Sequence, residues 1–92
     1  MLEMVKLVLR IKTNAFDAEI QSLIDAAKLD LQLSGVNIEK EDSLIEQAIV
    51  LYCKALFGLG NPDKERYWQS YQMMVRHMAL SSAYGMHGGE KA

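Results

Sequence analysis

The segment from Ser43 to Met78 constrains this chain most. A nearly all-apolar run, Leu44-Ile45-Glu46-Gln47-Ala48-Ile49-Val50-Leu51-Tyr52-Cys53-Lys54-Ala55-Leu56-Phe57, is stopped by Gly58-Leu59-Gly60, and a second helix opens at once with Asn61-Pro62-Asp63. A helix with apolar side chains almost all the way round must be covered on several sides. A chain of 92 residues has few other elements with which to cover it. The pattern therefore predicts an all-α fold and points to binding partners.

Length fits one domain near the size at which a single core is marginal. Half of the residues are hydrophobic and 24% are charged, which places the chain among globular proteins. Twelve acidic side chains against ten basic ones leave a net charge of −2, too little positive field to hold nucleic acid globally. No run of eighteen apolar residues occurs, so no membrane span is expected. Glu3 lies where a secretion leader carries bases, so a cytosolic site of synthesis is expected. Cys53 is the single cysteine and sits among apolar neighbours, which reads as a buried, inert thiol.

Three helices are expected, with a shorter element before them. The first runs from about Ala15 to Ser34, with Asn14 as N-cap and Asp17 reaching back in a capping-box arrangement. Phe16, Ile20, Leu23, Ile24, Ala27 and Leu31 form its apolar stripe. Gly35 supplies a left-handed end, onto which Val36 folds back toward Leu31. A weaker stripe, Ala18, Ser22, Ala26, Leu29 and Leu33, is either scattered exposure or a second contact face. The second helix spans Ser43 to Phe57, capped by Ser43 with Glu46, or by Asp42. Val50 and Phe57 share its narrow polar strip with Glu46, Gln47 and Lys54. They are covered either by a neighbouring subunit or by a loop of the same chain.

The third helix is expected to start at Pro62 after an Asn61 cap. Tyr67, Trp68, Tyr71, Met74, Val75 and Met78 form its buried face, and Arg66, Gln69, Ser70, Gln72 and Arg76 point outward. Residues 1–84 read as one helical domain and residues 85–92 as an aperiodic, flexible tail. At the N-terminus Val5, Leu7, Leu9 and Ile11 alternate as in a strand, while Leu2, Val5 and Leu9 fit a short helix. A lone strand would have no partner, so helix is the expectation.

Sites for chemistry are not legible. His77 and His87 have no second ligand at metal-binding spacing, no carboxylate pair sits in an apolar setting, and Gly58-Leu59-Gly60 joins two helices and not a strand and a helix. No serine has a base and an orienting group arranged around it. No enzyme activity, cofactor or metal is expected. Two binding readings remain: a small helical DNA-binding or regulatory module, or a structural assembly subunit. The first lacks a clustered basic helix face.

The succession of several segments is similar to the phage head–tail connector (DNA-packaging adaptor) proteins over about eighty residues. These are Met1-Leu2-Glu3-Met4-Val5-Lys6 through Leu9-Arg10-Ile11, Phe16-Asp17-Ala18-Glu19-Ile20 with Leu23-Ile24-Asp25-Ala26-Ala27-Lys28, Leu44 to Lys54, and Phe57-Gly58 followed by Asn61 to Tyr67. The resemblance implies a small all-α subunit with a short N-terminal helix and no catalytic residues. It further implies a ring, typically twelvefold in the virion, beneath the portal at the head–tail junction. Such a ring extends the DNA channel without sequence-specific DNA binding and receives a tail-proximal completion protein. Candidate subunit-interface residues are Leu29, Leu33, Val50 and Phe57, and candidate portal-docking residues are Tyr84 and Met86. The protein would be made in the bacterial cytoplasm and end in the virion, away from membranes.

Overall fold

In the computed structural model, residues 1–40, 42–58 and 60–85 are described, and among them the fold is all-α. Four α-helices follow in order: α1 Leu2–Leu9, α2 Asp17–Leu33, α3 Ser43–Leu56 and α4 Lys64–Leu80, with a single 3₁₀ turn at Ile38–Lys40. Helix α3 is central, packed between α2 and α4 and touched by α1. Its residues Ile45, Ala48, Ile49, Val50, Cys53 and Ala55 are all buried. Against them lie Ile20, Ile24, Ala27 and Leu31 of α2, Tyr71, Val75 and Met78 of α4, and Val5 of α1. An apolar girdle on a 14-residue helix is thus largely covered by three other helices of the same chain.

The N-terminal segment is helical, as its Leu2, Val5, Leu9 spacing predicts. It is fixed by Lys6, which is only 6% exposed. The Lys6 ammonium lies 2.8 Å from Asp17 Oδ1 and donates to Asn14 Oδ1 at 2.8 Å, tying α1 to the start of α2. This contact corrects the expected capping of α2. Asn14 does not cap the helix with its side chain, because Lys6 recruits it, and the helix starts at Asp17 behind Phe16 without any side-chain cap. Asp17 still sits at the positive end of the α2 dipole. Past α1 the chain turns through Arg10 in the left-handed region (φ 62°), with Arg10 N–H donating to Leu7 O and Ile11 N–H to Lys6 O.

The end of α2 follows its sequence signal closely. Gly35 has φ 94°, its N–H donates to Gln32 O, and Val36 N–H donates to Leu31 O at 2.9 Å. That pair of bonds, with Leu31 and Val36 both fully buried, is a Schellman ending complete with its hydrophobic contact. Helix α3 is capped by Asp42, the second of the two expected candidates: its Oδ1 accepts from Leu44 N–H at 3.1 Å and Ile45 N–H at 3.3 Å.

Helix α4 begins at Lys64, two residues later than expected, because Pro62 and Asp63 form a turn. Asn61 organises that turn. Its Oδ1 accepts from Asp63 N–H at 2.9 Å, while its Nδ2 donates to Lys54 O at 2.9 Å, satisfying a carbonyl in the last turn of α3. At the far end of α4, Gly85 pairs with Val36 in an isolated bridge and Asn37 N–H donates to Tyr84 O at 2.8 Å. The Tyr84 hydroxyl donates to Asp42. Gly85, assigned to the tail by its sequence, is therefore bound to the link between α2 and α3. Residues 86–92 lie outside the described residues.

Candidate functional site

Among the described residues no group of His, Cys, Asp and Glu could hold a metal ion, and no helix is long and apolar enough to cross a membrane. Cys53 is fully buried on α3, and burial pushes its thiol from 9.0 up to about 12. A thiol protonated at neutral pH is a poor nucleophile. Because its folded value is raised above the unfolded one, the associated stability is complete below pH 9 and is lost as pH climbs from 9 toward 12. Tyr71, also pushed upward by burial and by its Asp30 partner, acts in the same direction above pH 10. The expected result is a flat unfolding free energy from pH 6 to 8.5 and a decline above pH 9. Thiol labelling at pH 8 should proceed at the rate of unfolding, and immediate labelling of the native protein would contradict the burial.

Of the expected aromatic face of α4, Tyr71 lies in the core and Trp68 packs against it, whereas Tyr67 is half-buried outside that cluster beneath Lys54 and Arg66. Tyr71 is buried, its ring packing at 5.2 Å from both Trp68 and Tyr52. The Tyr71 hydroxyl donates to Asp30 Oδ2 at 2.5 Å, joining α4 to α2 across the molecule. Beside this bond the two helices leave a groove of about 440 Å³, lined by Asp30 and Ser34 of α2 and by Trp68, Val75, Arg76 and Leu80 of α4, among others. At the opposite end of α2, a second groove of about 600 Å³ lies along α1, where Leu7, Val8 and Ile11 are bordered by Arg10, Lys12 and Lys54. The Lys54 ammonium also lies over the Tyr67 ring at 4.6 Å.

The four candidate interface residues separate into two pairs. Leu29 and Leu33, one turn apart, are 59% and 86% exposed on the side of α2 away from its buried stripe. Val50 and Phe57 behave otherwise. Val50 is only 4% exposed and belongs to the core cluster of its own chain. Phe57 is half-buried, with its ring edge-on to Phe16 at 5.7 Å. Within one copy, then, Val50 is covered by its own chain and Phe57 is covered in part. Of the portal-docking candidates, Tyr84 is held against Asp42, and Met86 lies outside the described residues. His77 is exposed on α4, and His87 lies outside the described residues.

Two apolar faces have no counterpart in the sequence reading. Met4, Leu7 and Val8, at i, i+3 and i+4, face outward from α1, with Leu7 78% exposed. Met73 and Leu80, seven residues apart, do the same on α4, with Leu80 74% exposed. The alternation of Val5, Leu7, Leu9 and Ile11 drew attention to strand spacing, whereas the helical spacing of Met4, Leu7 and Val8 was the available signal.

Among the described residues, the fold is all-α with outward apolar faces on three of its helices. The chain matches the phage connector protein family over residues 1–85 and belongs to that family. It thereby carries a connector-type structural role in phage. Neither a curated protein nor a solved structure matched the chain.

Proposed function

We propose that this protein is a head–tail connector subunit. Copies of it form a ring beneath the portal, extend the DNA channel, and present their far side to the tail-proximal completion protein. The family match over residues 1–85 carries this reading. The exposed pair Leu29 and Leu33 supports it, because an α-helix with one buried and one exposed apolar stripe is suited to a neighbour on its outer side. In the ring, the contacts are heterologous, one face of each copy meeting a different face of the next. A net charge of −2 suits a channel wall that must not hold its DNA. Tyr84 and Met86 are the residues assigned to portal contact in this reading. The protein is made in the host cytoplasm and ends at the capsid vertex.

Electron microscopy of the purified protein, alone and with a phage portal ring, tests this function. Rings, or added density on the portal face, are expected. A protein that stays monomeric and leaves the portal undecorated would overturn the reading. Removing residues 86–92 is expected to weaken portal binding while leaving the helical fold intact; unchanged binding would remove the tail from the docking surface. The alternative, a DNA-binding or regulatory module, predicts affinity for duplex DNA at low salt. Polarisation assays are expected to show none, since Arg10, Lys12 and Lys54 surround apolar side chains and form no continuous basic helix face.

A further inference from the structure

We infer that the groove between α2 and α4 receives the exposed apolar stripe of α1 from a second copy of this chain. The inference rests on the ring reading above and adds to the Leu29 and Leu33 surface a second pair of faces that meet in the same subunit contact. The donor is a short amphipathic helix. Its inner face, with Val5 fully buried and Lys6 bonded to Asp17, is held by its own chain, and its outer face presents Met4, Leu7 and Val8 to solvent. Anchors at i, i+3 and i+4 are the pattern by which a helix lies in an apolar groove.

The acceptor matches in length, polarity and charge. Along α4 the groove runs from Trp68 to Leu80, a span of about 18 Å at 1.5 Å per residue, against about 12 Å for the eight residues of α1. Its apolar lining includes Trp68, Val75 and Leu80, and its rim carries Arg76 and Asp30. Helix α2 ends beside Ser34 with no base in its own last turn, and Arg76 is the one base among the described residues that line the groove there, so its negative dipole end can accept further positive charge. Arg10 and Lys12, which directly follow α1, form no ion pair among the described residues. Seated parallel to α4, α1 brings these bases to the α2 terminus and turns Glu3 toward Arg76. The alkyl side chains of Leu7 and Val8 meet an apolar groove better than they would meet a phosphate backbone or bulk water.

The two faces lie on different parts of one protomer, so the contact is heterologous and repeats from copy to copy. Leu7→Asp disables the donor and Leu80→Asp disables the acceptor; both positions are more than two-thirds exposed, so neither change should disturb the fold. Native mass spectrometry, with circular dichroism as the check on folding, reads the result. Wild-type protein is expected to form higher oligomers, by itself or on a supplied portal ring, and each variant alone is expected to remain monomeric and helical. An equal mixture of the two variants should give a dimer and nothing larger, because one intact α1 then meets one intact groove. If the wild type assembles and either variant assembles equally well, or the mixture stays monomeric, the inference is wrong and the ring reading stands. If Leu80→Asp abolishes portal binding while leaving self-assembly unchanged, the groove belongs to the portal and not to a second copy. If the wild type never assembles, with or without a portal, both readings fail.

Discussion

Replacing Ile24 with alanine lowers the unfolding free energy by about 2–5 kcal/mol, the cost of emptying a packed site of an aliphatic side chain. Ile24 is fully buried on α2 within the same cluster as Ile20, Ile45 and Ile49, and a small helical core has little slack to close the cavity. A domain of this size has a total stability on the order of 5–14 kcal/mol. The substitution therefore removes a large share of it. In a domain under 100 residues each kcal/mol moves the melting temperature by about 4–8 °C, so a fall of at least about 8 °C is expected. Leu33→Ala is the control. Leu33 is 86% exposed, and its loss should change the stability of the dilute protein by no more than about 0.5 kcal/mol. Both melts belong at low protein concentration, where assembly does not add to the apparent stability. Equal losses at the two positions would contradict the division between core and outer face.

Asp17→Ala is the second substitution with a large effect. It leaves the Lys6 ammonium nearly buried with only the neutral Asn14 oxygen beside it. Breaking a buried pair by removing one partner costs about 3–5 kcal/mol. Here the Asp17 side chain is 32% exposed, so water and neighbouring dipoles soften the loss to about 2–3 kcal/mol. Lys6→Met should cost less, because the methionine keeps the apolar stem in place and the remaining carboxylate sits at the favourable end of α2. The double variant Lys6→Met with Asp17→Ala should then recover much of the loss, since no charge is left buried. Chemical denaturation of the three variants gives the order directly. A loss for Asp17→Ala below that of Lys6→Met would show that the pair is solvated and does not anchor α1.

How far the fold can be read from the sequence depends on whether a signal is local. Gly35 and Val36 specify the end of α2 because a Schellman ending needs only residues within one turn, and the structure places them so. The Asp42 cap and the Tyr71 face of α4 were legible for the same reason. Asn14 was misread because Lys6, eight residues away and on another helix, takes its side chain. Val50 was ambiguous because a girdle of apolar residues says that α3 is covered, not which element covers it; α1 supplies part of the answer only once it docks. The Asp30–Tyr71 bond, joining residues 41 apart, left no trace in sequence spacing. Of the outer faces, the Leu29 and Leu33 stripe stood out by its period, while the α1 face was obscured by an overlapping strand-like alternation.

The account turns on apolar helix surface that one copy cannot hide. The direct measurement is the oligomeric state of the wild type and of Leu29→Asp/Leu33→Asp by native mass spectrometry, with a portal ring present and absent. The account predicts closed oligomers for the wild type and their loss in a double variant that keeps its helix content. A wild type that remains a single copy under every condition, or a double variant that assembles unimpaired, would contradict it.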